Sequence, residues 1–206
     1  KMAADRAEEP REAVAAEVAA DTTSSAFQTV FGIPGKSTVK TGAEVKRVGT
    51  TPDAADDVEL AGQLLTAAKS TADKPAMREK LYGIWNAISW TQWLERSRAI
   101  TYALHSMGFR PGDVASVLAN TVPEWNYADF GILCAGGVSS GIYPTDSAKQ
   151  VEYLINDSRT MVLFVEDDEQ LDKALEVRDR CPTLKKIVVF DMEGLSDFND
   201  PMVMSL

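Results

Sequence analysis

The chain has 206 residues and a formal net charge of −10, with 31 acidic side chains against 21 basic ones. That length suffices for one domain with a sizeable core and a tail, and a 45% apolar share excludes wholesale disorder. The acidic balance argues against a nucleic-acid partner, because a phosphate-binding stripe needs clustered Lys and Arg.

Two cysteines, Cys134 and Cys181, stand far apart with no metal-site or disulfide spacing, and read as reduced structural thiols. No apolar run reaches the roughly 18 residues that span a bilayer. The first residues, Lys1 to Arg6, contain no signal-peptide core. The expectation is a cytoplasmic protein or one at the cytoplasmic membrane surface.

Residues 1–55 read as an N-terminal extension or wrapping arm. A short helix from about Arg11 carries only the apolar pair Val14 and Val18, and the later anchors are Phe27, Val30, Phe31 and Ile33. Gly35-Lys36-Ser37 resembles the end of a phosphate loop, but Val30 stands where that loop needs its first glycine. Chance is the better explanation.

Residues 56–190 read as an α/β subdomain. Val58, Ala61, Leu64, Leu65 and Ala68 recur at helical spacing behind the caps Asp56 and Asp57. Lys74 to Lys80, a turn at Tyr82-Gly83 and Trp85 to Trp90 predict a hairpin. Thr91 is expected to cap a helix to Met107, which Gly108 ends. Short apolar runs follow at Val114–Leu118, Val138–Ile142 and Met161–Val165, each with a helix-start signal behind it.

Those signals are Asn120-Thr121 with Pro123, the capping box Ser147 with Gln150, and the acidic run Glu166 to Glu169. Lys185–Phe190 supplies a fourth strand. Strands alternating with helices predict a parallel sheet flanked by helices. Residues 191–206 are polar and aperiodic and read as a linker to a further part of a longer chain.

Several side chains invite functional readings. The sequence suggests no Ser, Cys or Asp constellation around His105, the single histidine, which reads as a helix-surface or packed side chain. The run Glu166 to Glu169 has the chemistry for a hard cation, but a solvated helix start explains it better. Trp85, Trp90, Trp93 and Trp125 read as core or interface anchors rather than the lining of a channel. Ligands of parallel sheets sit beyond the strands' carboxyl ends, which nominates Asn120 and the loop Tyr143-Pro144-Thr145. The helix start behind that loop offers N–H groups to an anion. Plain turn chemistry is the competing explanation. No catalytic residue and no metal ligand is assigned.

A family resemblance rests on six stretches in order: Tyr82-Gly83-Ile84-Trp85 through Trp90, Gly108 to Ala115, Asn120-Thr121-Val122-Pro123-Glu124-Trp125, Ala135 to Val138, Ile142 to Thr145, and Val151 to Ser158. Together they resemble the N-terminal portion of long-chain acyl-CoA synthetases, the AMP-forming fatty-acid–CoA ligases of the adenylate-forming superfamily. The resemblance covers roughly residues 58–200. It implies the first subdomain of the large N-terminal domain of such an enzyme. The parent would use ATP, Mg²⁺, CoA and a fatty acid, and its other partner would be the remainder of its own chain.

A homodimer and peripheral membrane contact stay open. The family's Ser/Thr/Gly-rich phosphate loop ending in Pro-Lys, its aromatic-Gly-x-Thr-Glu motif, its ribose-binding Asp and its C-terminal lysine have no counterpart in these 206 residues. The chain alone is therefore expected to be inactive. Two other readings are a non-catalytic α/β binding or interaction module derived from that fold, and an aryl- or medium-chain acid ligase. A sealed polar surface would favour the module, and exposed apolar surface would favour the parent enzyme.

Overall fold

A computed structural model describes residues 60–206 of the chain. The N-terminal arm 1–55 with its helix from Arg11, the Gly35-Lys36-Ser37 run and the caps Asp56 and Asp57 lie outside the described residues. So does the expected helix start at Val58.

Helix α1 (Leu60–Thr71) precedes a hairpin of β1 (Pro75–Leu81) and β2 (Ile84–Ser89). The hairpin is an antiparallel sheet of its own, turned by Tyr82 and Gly83, both at positive φ. Helix α2 (Trp90–Ser106) follows directly. Its cap is Ser89, not Thr91: Ser89 and Gln92 form a capping box, while the Thr91 hydroxyl donates to the Ala72 carbonyl at 3.1 Å. Ser89 has the extended backbone of a cap residue, and Thr91 lies already within the helix.

Strands β3 (Val114–Leu118), β4 (Val138–Ile142), β5 (Val162–Val165), β6 (Lys186–Val189) and β7 (Val203–Ser205) form one parallel sheet in the order β4-β3-β5-β6-β7. Helices α3 (Pro123–Cys134), α4 (Ala148–Ser158) and α5 (Asp168–Val177) are the connections. Asn120 and Thr121 do not cap α3. The cap position is Val122, which makes no side-chain cap bond, and Pro123 starts the helix. Helices α2 and α3 both end in the Schellman pattern. Gly108 and Gly136 take positive φ there, and the next residues, Phe109 and Gly137, donate back to Leu104 and Ile132.

Alternation along the strands divides the core between two faces. Ala115, Val117, Val162, Phe164 and Val188 point to α2 and α3, with Met77 and Ile88 of the hairpin packed at the margin. Leu118, Leu163, Val165, Ile187 and Val189 point to α4 and α5. On the first face α2 and α3 approach closely at Gly131. A Cβ there would lie 2.6 Å from Ile100 Cγ2, and the Thr101 hydroxyl donates to the Gly131 carbonyl at 2.9 Å.

Residues 191–206 are not a plain linker, because Val203–Ser205 adds the strand beside β6. Asp200 organises the approach. Its carboxylate pairs with Arg178 and accepts the Met202 N–H at 2.8 Å, and Lys186 donates to the Pro201 carbonyl at 2.6 Å. Three residues of strand held by such contacts leave no periodic signal in a polar stretch.

Candidate functional site

The strand register levels the carboxyl ends of the sheet. Leu118 lies beside both Ile142 and Val165, and Val165 lies beside Val189. The chain therefore leaves the sheet at one height through Ala119, Tyr143, Glu166 and Phe190. It travels from β3 outward to β4 and then back across to β5, so strand order reverses between β3 and β5. In doubly wound sheets that reversal opens the crevice where ligands bind.

Asn120 stands at this reversal. Its backbone N–H and its side-chain amide both donate to the same oxygen of Glu166, the amide at 2.9 Å. Glu166 is thus drawn out of the acidic helix start, which begins at the cap Asp167, whose carboxylate accepts the Gln170 N–H at 3.0 Å. Asp168 and Glu169 fill the first turn of α5, where the helix dipole favours anions. Among the described residues no group of three or more His, Cys, Asp or Glu side chains could hold a metal ion.

Tyr143, Pro144 and Thr145 leave β4 at the neighbouring position, and the Tyr143 ring is 77% exposed. The loop is closed by the Asp146 N–H on the Tyr143 carbonyl at 2.9 Å. It is fastened to α5 by Lys173, whose ammonium donates to the Pro144 carbonyl at 2.6 Å and to Gln170 Oε1 at 3.0 Å. Asn120 and this loop therefore occupy one rim but are held by different partners. Behind the loop, the Gln150 side chain accepts the Ser147 N–H, and the Ser147 hydroxyl accepts the Gln150 N–H. The capping box occupies part of the donor set an anion would use.

An apolar groove of about 430 Å³ lies on the α2 side of the sheet. Ile100 and Ala103 of α2 with its C-cap residue Met107 form one wall, and Phe164, Phe190 and Met204 form the floor. Glu124 and Arg96 stand at its polar margin. Burial, with the Glu124 charge adding to it, raises the pKa of the Tyr127 phenol. Sequence reasoning did not identify this groove, nor Glu166 and Lys173 as organisers of the loops. All three depend on which strands are neighbours.

The remaining candidates are structural. Both cysteines are buried free thiols, and desolvation pushes Cys134 up to about 12. His105 sits in the last turn of α2, where burial lowers its pKa and keeps it neutral at pH 7. Trp93 stacks on Trp90 with centroids 5.4 Å apart, meets Phe130 edge-on at 4.8 Å, and donates its indole N–H to the Asn126 carbonyl. Trp125 packs at the margin of the same core. Trp85 is not a core anchor, because it faces solvent near the hairpin tip.

Comparison with known proteins now bears on this arrangement. The sequence profile of the family described as "AMP-binding enzyme" matches residues 64–201. A long-chain-fatty-acid–CoA ligase of Bos taurus is 30% identical over 125 residues, covering 61% of this chain and 17% of that protein. One of Mycobacterium bovis is 33% identical over 106 residues, covering 52% and 18%. Among solved structures, an anthranilate CoA ligase bound to anthranoyl-AMP superposes with a TM-score of 0.56 at 27% identity, over 62% of this chain and 24% of that one. An acetoacetyl-CoA synthetase from Streptomyces lividans superposes at 0.62 and 21% identity, over 69% and 23%, which establishes likeness of fold. The chain thus spans less than a fifth of the length of these two curated relatives.

Proposed function

The chain belongs to the AMP-binding enzyme family, and from that premise we propose that it forms the N-terminal part of a long-chain fatty-acid–CoA ligase. The observation that carries this reading is its 30–33% identity to ligases of that name in animals and mycobacteria. In the parent reaction a fatty carboxylate oxygen attacks the α-phosphorus of ATP and pyrophosphate leaves. The CoA thiol then attacks the acyl carbonyl and AMP leaves. Both steps need donors and Mg²⁺ fixed around developing charge. Neither step is assigned to a residue of this chain.

In this reading residues 56–190 are the first α/β subdomain of the large domain, and residues 1–55 are an extension to it. The rim formed by Asn120 and Tyr143-Pro144-Thr145 faces the CoA and acyl side. The location is cytoplasmic or at a membrane surface, and a homodimer is compatible with it. Among the described residues no helix lies over the groove at β5, β6 and β7, which supports a structural role within a larger protein over a self-contained module, because apolar sheet faces are normally covered.

The test is to read the gene past the codon for Leu206. A frame that continues into a Ser/Thr/Gly-rich loop ending in Pro-Lys supports the reading, and the full-length product should then form AMP in a fatty-acid- and CoA-dependent manner. The 206-residue chain alone should release no pyrophosphate. A stop codon after Leu206 would sink the ligase reading and bring the interaction module forward.

A further inference from the structure

The densest exposed apolar cluster among the described residues is the tip of the β1–β2 hairpin. Tyr82 is 100% exposed, Ile84 68%, Trp85 65% and Leu81 46%. The register explains the layout. Leu81 pairs with Ile84 on the face that carries Met77 and Ile88, which pack against the core at the hairpin's base. Lys80 pairs with Trp85 on the opposite face, with the ammonium 5.8 Å from the indole centroid. The base of the hairpin is therefore docked, and its tip overhangs solvent with an aliphatic pair on one face, an indole on the other and a phenol at the apex.

Two further features bear on the partner. From Lys74 to Ser89 the hairpin carries three cations, Lys74, Arg78 and Lys80, against the single acid Glu79. It is a locally basic spot on a chain whose net charge is −10. Tyr82 also sits at a φ of +49°, beside Gly83 at +84°. A turn with both central residues at positive φ is best served by Asn-Gly, and an aromatic residue there is disfavoured by contact between its Cβ and the backbone. Local stability does not explain Tyr82; what the ring touches outside the hairpin would.

We propose that the β1–β2 hairpin tip is a docking device for an anionic lipid surface. Tyr and Trp favour the boundary between headgroups and acyl chains, where an amphipathic ring has one apolar and one wet side. Leu81 and Ile84 enter the acyl margin. Lys80 and Arg78, set back along β1, meet the headgroup charge, and the rest of the acidic surface is kept away from it. This names the element that would make the membrane contact of the proposed location, and it does not depend on the ligase chemistry.

The test is co-sedimentation of the full 206-residue chain with vesicles of phosphatidylcholine, with and without phosphatidylglycerol. Binding to the anionic vesicles is expected, and the double variant Ile84→Ser/Trp85→Ser should weaken it more than about tenfold through lost apolar contact. Lys80→Gln should weaken it about fivefold on anionic vesicles only. Tyr82→Asn separates docking from folding: thermal stability should hold or rise, as the turn preference requires, while vesicle binding falls. Absence of vesicle binding, or equal binding by the double variant, would overturn the proposal. So would a concentration-dependent dimer that the tip substitutions dissolve, since that would seat a second copy on the hairpin.

Discussion

The two faces of the parallel sheet are built differently. On one, α4 and α5 cover β3, β5 and β6, and Met192, Leu195 and Met202 of the last loop close the margin. On the other, α2 and α3 cover the sheet as far as Phe164, and beyond it Phe190 and Met204 floor an open groove. Both faces obey the same alternation of apolar side chains. The difference is whether the described residues supply a helix to lie over each strand. A strand's pattern specifies that it will be buried and leaves unspecified what buries it.

The sharpest way to test this contrast is to delete one large side chain from each face. Leu163→Ala, on the covered face, should cost toward the upper end of the usual 2–5 kcal/mol, because closed surroundings cannot relax into the cavity. Phe164→Ala removes more atoms but should fall near the lower end of about 3–5 kcal/mol, because water and the groove can take up the space. Urea unfolding of both variants decides it, and a much larger loss for Phe164→Ala would mean that the groove is closed in solution.

Next in size is Gly131→Ala. The added methyl would meet Ile100 at the α2–α3 contact, and overpacking should destabilise by about 1–3 kcal/mol. Combining it with Ile100→Val should recover part of the lost melting temperature. If it does not, the close approach of the helices is not what Gly131 provides.

The covered face carries a smaller, polar test. Thr160 shares its hydroxyl with Ser116 and with Ser158, the latter at 2.7 Å. Thr160→Val leaves the buried Ser116 hydroxyl without that partner, at a cost of about 1–3 kcal/mol. The double variant Ser116→Ala/Thr160→Val should cost less than the sum of the single ones.

The smallest effect concerns the edge strand. The hydrogen bond from Arg178, helped by the Met202 N–H, holds the Asp200 carboxyl below its ordinary 3.8. A carboxyl lowered in the folded state adds stability that is present above its unfolded pKa and fades as pH falls through the folded value. Amide exchange at Val203–Ser205 should therefore quicken as pH drops through and below the ordinary carboxylate range, once the intrinsic rate is corrected. Asp200→Asn should show the quicker exchange already at neutral pH. Unchanged protection would mean that β7 pairs with β6 without this anchor.

Much of the fold could be read from the chain itself. The β-α alternation from Val114 to Phe190, the hairpin, the Ser147–Gln150 box and the glycine stop at 108 are all local signals, and local backbone physics fixed them. Cap choice was less legible where a side chain had a distant partner, as with Thr91 on Ala72 and Asn120 on Glu166. That Asn120 and Tyr143 to Thr145 lie beyond the carboxyl ends of β3 and β4 was legible, because those ends are known once the strands are.

Tertiary structure alone decided the rest. It set the order β4-β3-β5-β6-β7, which brings Glu166 to Asn120 and Lys173 to Pro144. It also recruited Val203–Ser205 to the sheet and left the groove open beside it. Periodicity reports which way each side chain points relative to its own backbone. The neighbour it then meets depends on how distant segments pack, and no local pattern encodes that choice.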